Sequence, residues 1–253
     1  VSGLLKQTDN LLVVRVDSPY EPVGDVWSLH KQLIKGVLNH HDTRPAGAWS
    51  VNGQDANSGG IWQEPIIHFS DKLTVKQFNI EAILPTIPLP EVLDNVALKL
   101  KLQVATQEAI PLRIRATIEQ LNGSDKKSPI QFTIHPEQLQ KLSTEQYLLE
   151  QDIDLQKIKT WWPLHYGEAA VYRIKLDIFD ENKQLLEQVS QRFALRTVHY
   201  DQRELAFFIN GKRFFIKGTN YIASPWLASM NRERYSQDLQ LMQQAHINAI
   251  RVH

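Results

Sequence analysis

Val96-Ala97-Leu98-Lys99-Leu100-Lys101-Leu102-Gln103-Val104 alternates apolar with polar or small side chains without a break. A period of two is the mark of a strand with one dry face and one wet face. The same grammar returns twice downstream. Leu112, Ile114, Ala116 and Ile118 repeat it with Arg113 and Arg115 facing out, and Tyr172, Ile174, Leu176 and Ile178 repeat it again. Asp180-Glu181-Asn182-Lys183 supplies the turn that follows. Strands at this spacing, with no convincing helix between them, predict an antiparallel β-sandwich of roughly a hundred residues. It is placed at residues 79–198.

Upstream of that core, Leu11-Leu12-Val13-Val14-Arg15-Val16-Asp17 reads as a strand closing on Ser18-Pro19. From there to Trp62 the sequence is irregular, with Gly, Pro, His, Asn and Asp crowded among Trp27, Trp49 and Trp62. A loop this long inside a domain is usually functional. Strand character returns at Ile66–Phe69 and Leu73–Val75.

Downstream, Phe207-Phe208-Ile209, Asn210-Gly211 and Phe214-Phe215-Ile216 form a hairpin pattern with a two-residue type I′ turn. Asn231 is a candidate N-cap, although Arg234 stands where a capping box would want Glu or Gln. Tyr235, Leu239, Leu241, Met242 and Ala245 then fall near one helical face. Ile247–Val252 is a strand again. Strand, helix, strand with a short connection is a βαβ unit with parallel strands.

Composition bounds what such a chain does. An apolar fraction of 42% with 22% charged residues is that of a globular protein. A formal charge of zero gives no general attraction to nucleic acid or to anionic lipid. The absence of cysteine excludes disulfides, thiolate metal sites and a cysteine nucleophile. No apolar run is long enough to cross a membrane, and no basic segment followed by an apolar core marks a signal peptide. Compartment and oligomeric state stay open. His40-His41-Asp42 offers metal-ligand chemistry, but adjacent histidines on an extended chain point different ways and no third ligand stands at ordinary spacing. No metal site and no cofactor are expected.

Three stretches, in order, carry a resemblance. Ser58-Gly59-Gly60-Ile61-Trp62 resembles the end of the sugar-binding jelly-roll domain of glycoside hydrolase family 2. Trp161-Trp162-Pro163-Leu164-His165-Tyr166-Gly167-Glu168, with Val171-Tyr172, is similar to the Ig-like second domain of its β-mannosidase branch. Phe208–Lys212, Ile216–Asn220 and Asn248–Val252 resemble the opening of its catalytic barrel. The resemblance implies a mainly β chain. A jelly-roll-like sandwich (1–78, lacking its first strands) would be followed by an Ig-like sandwich (79–198) and the first βαβ unit of a (β/α)8 barrel (199–253). The barrel segment has 55 residues, against ~250 for a complete barrel, so both ends of the chain are expected to be cut.

Members of the family are retaining enzymes that use two carboxylates about 5–5.5 Å apart. By family analogy the acid/base follows barrel strand four and the nucleophile strand seven. Neither strand lies in this sequence, so no catalytic residue is assigned. Five residues are candidates for substrate binding. Asn220, ending the first barrel strand, matches a position where the family places a polar substrate-facing side chain, and an amide both donates to and accepts from sugar hydroxyls. The competing reading is a turn hydrogen bond. Arg251 matches an Arg that the family points toward its nucleophile, where a cation keeps a carboxylate ionised; a structural ion pair is the alternative. Asp55 and Asn57 resemble a jelly-roll loop that reaches the pocket in some members, or are solvated loop residues. His253 stands at a strand end. Trp62 and Trp161-Trp162 are expected to pack rather than to bind sugar.

The reading is therefore the non-catalytic front portion of a retaining β-glycosidase acting on β-mannosides or β-galactosides, with carbohydrate as its partner. The alternative is a non-catalytic carbohydrate-binding or scaffold protein of sandwiches. The βαβ segment counts against that alternative, because a binding sandwich has no use for a parallel strand pair.

Overall fold

The computed structural model describes residues 6, 8–16, 61, 64–66, 72–85, 87–106, 111–123, 128–135, 139–143, 145–223 and 230–252. They divide into two units, 68–216 and 1–67 with 217–253. Among the described residues the protein is mainly β, with one helix.

The first unit holds β1 (Leu73–Ile83), β2 (Val92–Thr106), β3 (Arg113–Gln120), β4 (Ile130–Ile134), β5 (Leu139–Lys141), β6 (Gln146–Lys159), β7 (Tyr172–Phe179) and β8 (Leu185–Phe193), the three alternating stretches falling in β2, β3 and β7. They form two four-stranded sheets, ordered β1-β2-β6-β5 and β4-β3-β7-β8. Every neighbouring pair is antiparallel. The apolar members of the alternation face one another: Leu98, Leu100, Leu102 and Val104 of one sheet join Ile114, Ala116, Ile174, Leu176 and Ile178 of the other in a single cluster. Each large side chain buried this way is worth about 1.5–3 kcal/mol over an exposed one, and together they fix the register of both sheets. The turn at Asp180 forms as read. Its carboxylate accepts from the Gln184 N–H at 2.8 Å, and Lys183 takes φ 64°.

The unit continues into β9 (Val198–Asp201), β10 (Ala206–Ile209) and β11 (Lys212–Phe214), an antiparallel sheet ordered β11-β10-β9. Asn210 and Gly211 both take positive φ, 52° and 81°, as a type I′ turn requires. The turn is packed inward. Asn210 is fully buried, and its Oδ1 accepts from the Thr197 N–H while its Nδ2 donates to the Trp161 carbonyl, both at 2.9 Å. Its carbonyl accepts from the Leu89 N–H, and its own N–H donates to the Thr197 carbonyl. A Cβ on Gly211 would stand 2.8 Å from the Pro88 Cα.

This turn explains the tryptophan pair. Trp162 is 2% exposed and donates from Nε1 to Thr160 Oγ1 at 2.9 Å. Lys212 lies 4.6 Å over the Trp162 ring, and Arg196 lies 4.5 Å over that of Trp161. The Trp161 ring therefore packs on the connection between β8 and β9, and the Trp162 ring on β11.

The second unit holds β12 (Gly218–Tyr221), α1 (Arg232–Gln244) and β13 (Ala249–Val252), with β12 and β13 parallel. Asn231 caps the helix, its side chain accepting from the Arg234 N–H at 2.9 Å. The helix stops without glycine. His246 takes φ 58°, Ile247 N–H donates to the Met242 carbonyl and His246 N–H to that of Gln243, which is the Schellman pattern.

Two expectations change. The stretch from Leu11 belongs to no strand over the described residues 8–16, and Leu11 is 87% exposed. β-branched content favours a strand only where a partner ladder and a face to bury exist. The apolar face expected on the helix is also open, since no α1 residue is buried. A pair of strands is too narrow to cover a helix of 13 residues.

Candidate functional site

The candidate site rests on how two strands of four residues are tied together. Asn248 precedes β13 and closes the lower end of the pair. Its Oδ1 accepts from the Lys217 N–H at 2.8 Å, and its own N–H donates to the Lys217 carbonyl at 3.0 Å. This double link fixes the register, in which Gly218 faces Ala249, Thr219 faces Ile250, Asn220 faces Arg251 and Tyr221 faces Val252. Register partners on parallel strands share a face, and successive residues alternate between faces.

Tyr221 identifies the face that carries the helix. Its hydroxyl donates to Asp238 Oδ2 at 2.7 Å, and its ring meets Tyr235 of α1 edge-on with centroids 6.4 Å apart. Burial, the hydrogen bond to the Asp238 carboxylate and that carboxylate's charge push the Tyr221 phenol up to about 12. The phenol is thus a neutral donor across the physiological range. Arg234 holds the other Asp238 oxygen at 3.3 Å. Asn220 and Arg251 therefore project from the opposite face, side by side and both exposed.

Chemically, an amide beside a guanidinium offers a donor and an acceptor for hydroxyls next to a fixed cation for a carboxylate. Among the described residues, neither side chain has a hydrogen-bonding or ionic partner. Asp55, Asn57 and His253 lie outside the described residues, as do His40, His41, Asp42, Trp27, Trp49 and Trp62. Among the described residues no group of three metal-ligating side chains occurs, and no helix is long and apolar enough to cross a membrane.

Sequence reasoning missed the Tyr221–Asp238 bond. Seventeen positions separate the two residues, and neither the helical pattern nor the strand pattern reports a contact across a crossover. The aromatic residue directly after Asn220 was the one available signal.

With that geometry in place, comparisons with known proteins show what the chain is similar to. Residues 86–196 match the model for "Glycosyl hydrolases family 2", a span that runs from just before β2 to just after β8. A β-mannosidase B of Emericella nidulans is 30% identical over 152 residues, 55% of this chain and 18% of that protein. An exo-β-D-glucosaminidase of Arthroderma benhamiae is 24% identical over 202 residues, 78% of this chain and 22% of that protein. Among solved structures, a β-D-mannosidase of Dictyoglomus thermophilum shares the fold with a TM-score of 0.60 at 24% identity, over 79% of this chain and 23% of that one. The chain thus spans less than a quarter of the length of each of these three proteins.

Proposed function

We propose, from the premise that this chain is a relative of glycosyl hydrolases family 2 through residues 86–196, that it forms the non-catalytic front portion of a retaining β-glycosidase acting on β-mannosides or β-galactosides. In that reading residues 1–78 are the late part of a sugar-binding jelly roll, 79–198 an Ig-like sandwich, and 199–253 the opening of a (β/α)8 barrel. β12, α1 and β13 are its first βαβ unit. The observation that carries the reading is the pairing of Asn220 with Arg251 on the strand face opposite α1. In a barrel with its helices outside, that face is the interior, and groups at the C-terminal ends of strands meet substrate.

Asn220 then binds a sugar hydroxyl, and Arg251 supplies the cation that keeps a nearby carboxylate ionised. Asp55, Asn57 and His253 complete the rim. The two carboxylates of the reaction come from later barrel strands, so the 253-residue chain by itself does no hydrolysis.

The test has two parts. The polypeptide alone, assayed with p-nitrophenyl β-mannoside and β-galactoside, should read zero; reproducible turnover by purified material would sink the proposal. In a longer product that carries the remaining barrel strands, Asn220→Ala and Arg251→Ala should each lower kcat/KM by about 10²-fold, the scale of losing one preorganised polar group. Unchanged kinetics in both would remove these residues from the site.

A further inference from the structure

The outward face of the β4-β3-β7-β8 sheet is a second feature, and it lies wholly within the unit 68–216. With Ile114, Ala116, Ile118, Ile174, Leu176 and Ile178 turned into the core, the alternate residues face out. Those include Arg113 and Arg115 on β3, Arg173 and Lys175 on β7, and Arg192 on β8. Among the described residues, two carboxylates share the face. Glu119 is held by Arg173. Asp177 is 3% exposed, under Arg115 at 3.0 Å, Lys175 at 3.4 Å and Gln188 at 2.6 Å.

The consequence is a surface more cationic than its composition. The Asp177 anion lies beneath its cations, whereas Arg115 remains 52% and Lys175 38% exposed. Arg192 stands in register with Arg173, two like charges on adjacent strands. Repulsion of that kind is unfavourable within a sheet. Arg113 and Arg192 have no ion-pair partner among the described residues. Net charge over the whole chain is zero, so the excess here is segregation. On the other sheet's outward face the signs alternate instead, with Lys101 bonded to Glu150 at 3.0 Å and Lys99 in register between Glu81 and Asp152.

We propose that this face docks a uronate-containing polysaccharide. Successive outward residues lie about 7 Å apart along a strand and about 5 Å apart across strands, which makes the cations a flat, extended array. A linear polyanion with regularly repeated carboxylates meets such an array, and guanidinium groups bind carboxylates bidentately. The hydroxyls of Thr117 and Ser190, in register with Lys175 between the arginine rows, suit a ligand that also carries hydroxyl groups. Phe179 lies under Arg115 at 5.1 Å, so among the described residues the face exposes no free aromatic platform on which nucleobases would stack. This site is independent of Asn220 and Arg251.

Affinity electrophoresis of the whole chain in gels containing polygalacturonate tests the proposal. Retardation is expected at low salt, falling as ionic strength rises, with none in gels containing neutral mannan. Arg113→Glu with Arg192→Glu should weaken retardation at least about tenfold, because each reversal acts on a cation with no carboxylate partner among the described residues. The neutral pair Arg113→Gln and Arg192→Gln should weaken it less, and it keeps the test valid if the reversed pair does not fold. Lys76→Glu with Lys141→Glu, an equal change of net charge on the other sheet, should leave it unchanged. No retardation of the parent chain, equal loss in the Lys76/Lys141 control, or equal retardation by poly-glutamate would overturn the proposal.

Discussion

Asn210 shows how much one side chain carries when its turn is turned inward. The Asn-Gly pair announced a type I′ turn, and the turn formed. Nothing local announced that both ends of the amide would be buried against Thr197 and Trp161. Asn210→Ala strands the partly buried Thr197 N–H and Trp161 C=O, at roughly 1–3 kcal/mol each. Urea unfolding should show a loss of about 2–4 kcal/mol, and a loss below 1 would mean that water replaces the amide. Asp177 is equally illegible, because its place in the alternation marks it as a solvent-facing residue. Burial alone would raise its pKa, but Arg115, Gln188 and Lys175 together hold it below the ordinary 3.8. Stability that depends on this carboxylate is therefore present above the ordinary value and is lost as pH falls through the lowered one. The stability gap between the parent and Asp177→Asn should be widest near neutrality and should close below pH 3.8. A gap independent of pH would refute the linkage.

At the scale of elements, β2, β3 and β7 were legible because each carries its own burial pattern, as Val96–Val104 does, whereas β4, β5, β6 and β8 were not read as strands from the sequence. The β12–α1–β13 unit was legible as an order of elements, and Asn231 as its cap. Its stop was not, because His246 occupies the left-handed position where a glycine would have been the signal. The tie between strand and helix also escaped, since Tyr221 and Asp238 meet only after the crossover is made. That tie has a spectroscopic consequence. Alkaline titration of tyrosinate absorbance should contain a component near pH 12 that disappears in Tyr221→Phe and moves down in Asp238→Asn. The raised value also means that the tie stabilises the unit fully below about pH 10, the free phenol's range, and is lost as pH rises through 12. An unmoved component in Asp238→Asn would show that burial alone sets it.

For the molecule as a whole, periodicity marks where strands lie but not where a folding unit ends. The unit of residues 68–216 runs past β8 to include β9–β11, and the side chains explain why. Trp162 is packed under Lys212, Tyr166 meets Phe214 with ring centroids 5.1 Å apart, and Asn210 joins Leu89, Trp161 and Thr197. A cut after Val198 would uncover the Trp162 ring and leave the Trp161 carbonyl and the Leu89 N–H without partners. A cut after Ile216 would break none of these. The fragment 68–216 should therefore unfold in one cooperative transition. The fragment 68–198 should melt several degrees lower, about 3–4 °C for each kcal/mol lost in a domain of this size. Calorimetry on the two fragments separates the outcomes. Equal melting temperatures would mean that the β9–β11 sheet only rests on the sandwich, and the Trp161-Trp162 pair would then have to be stabilised from within the sandwich alone.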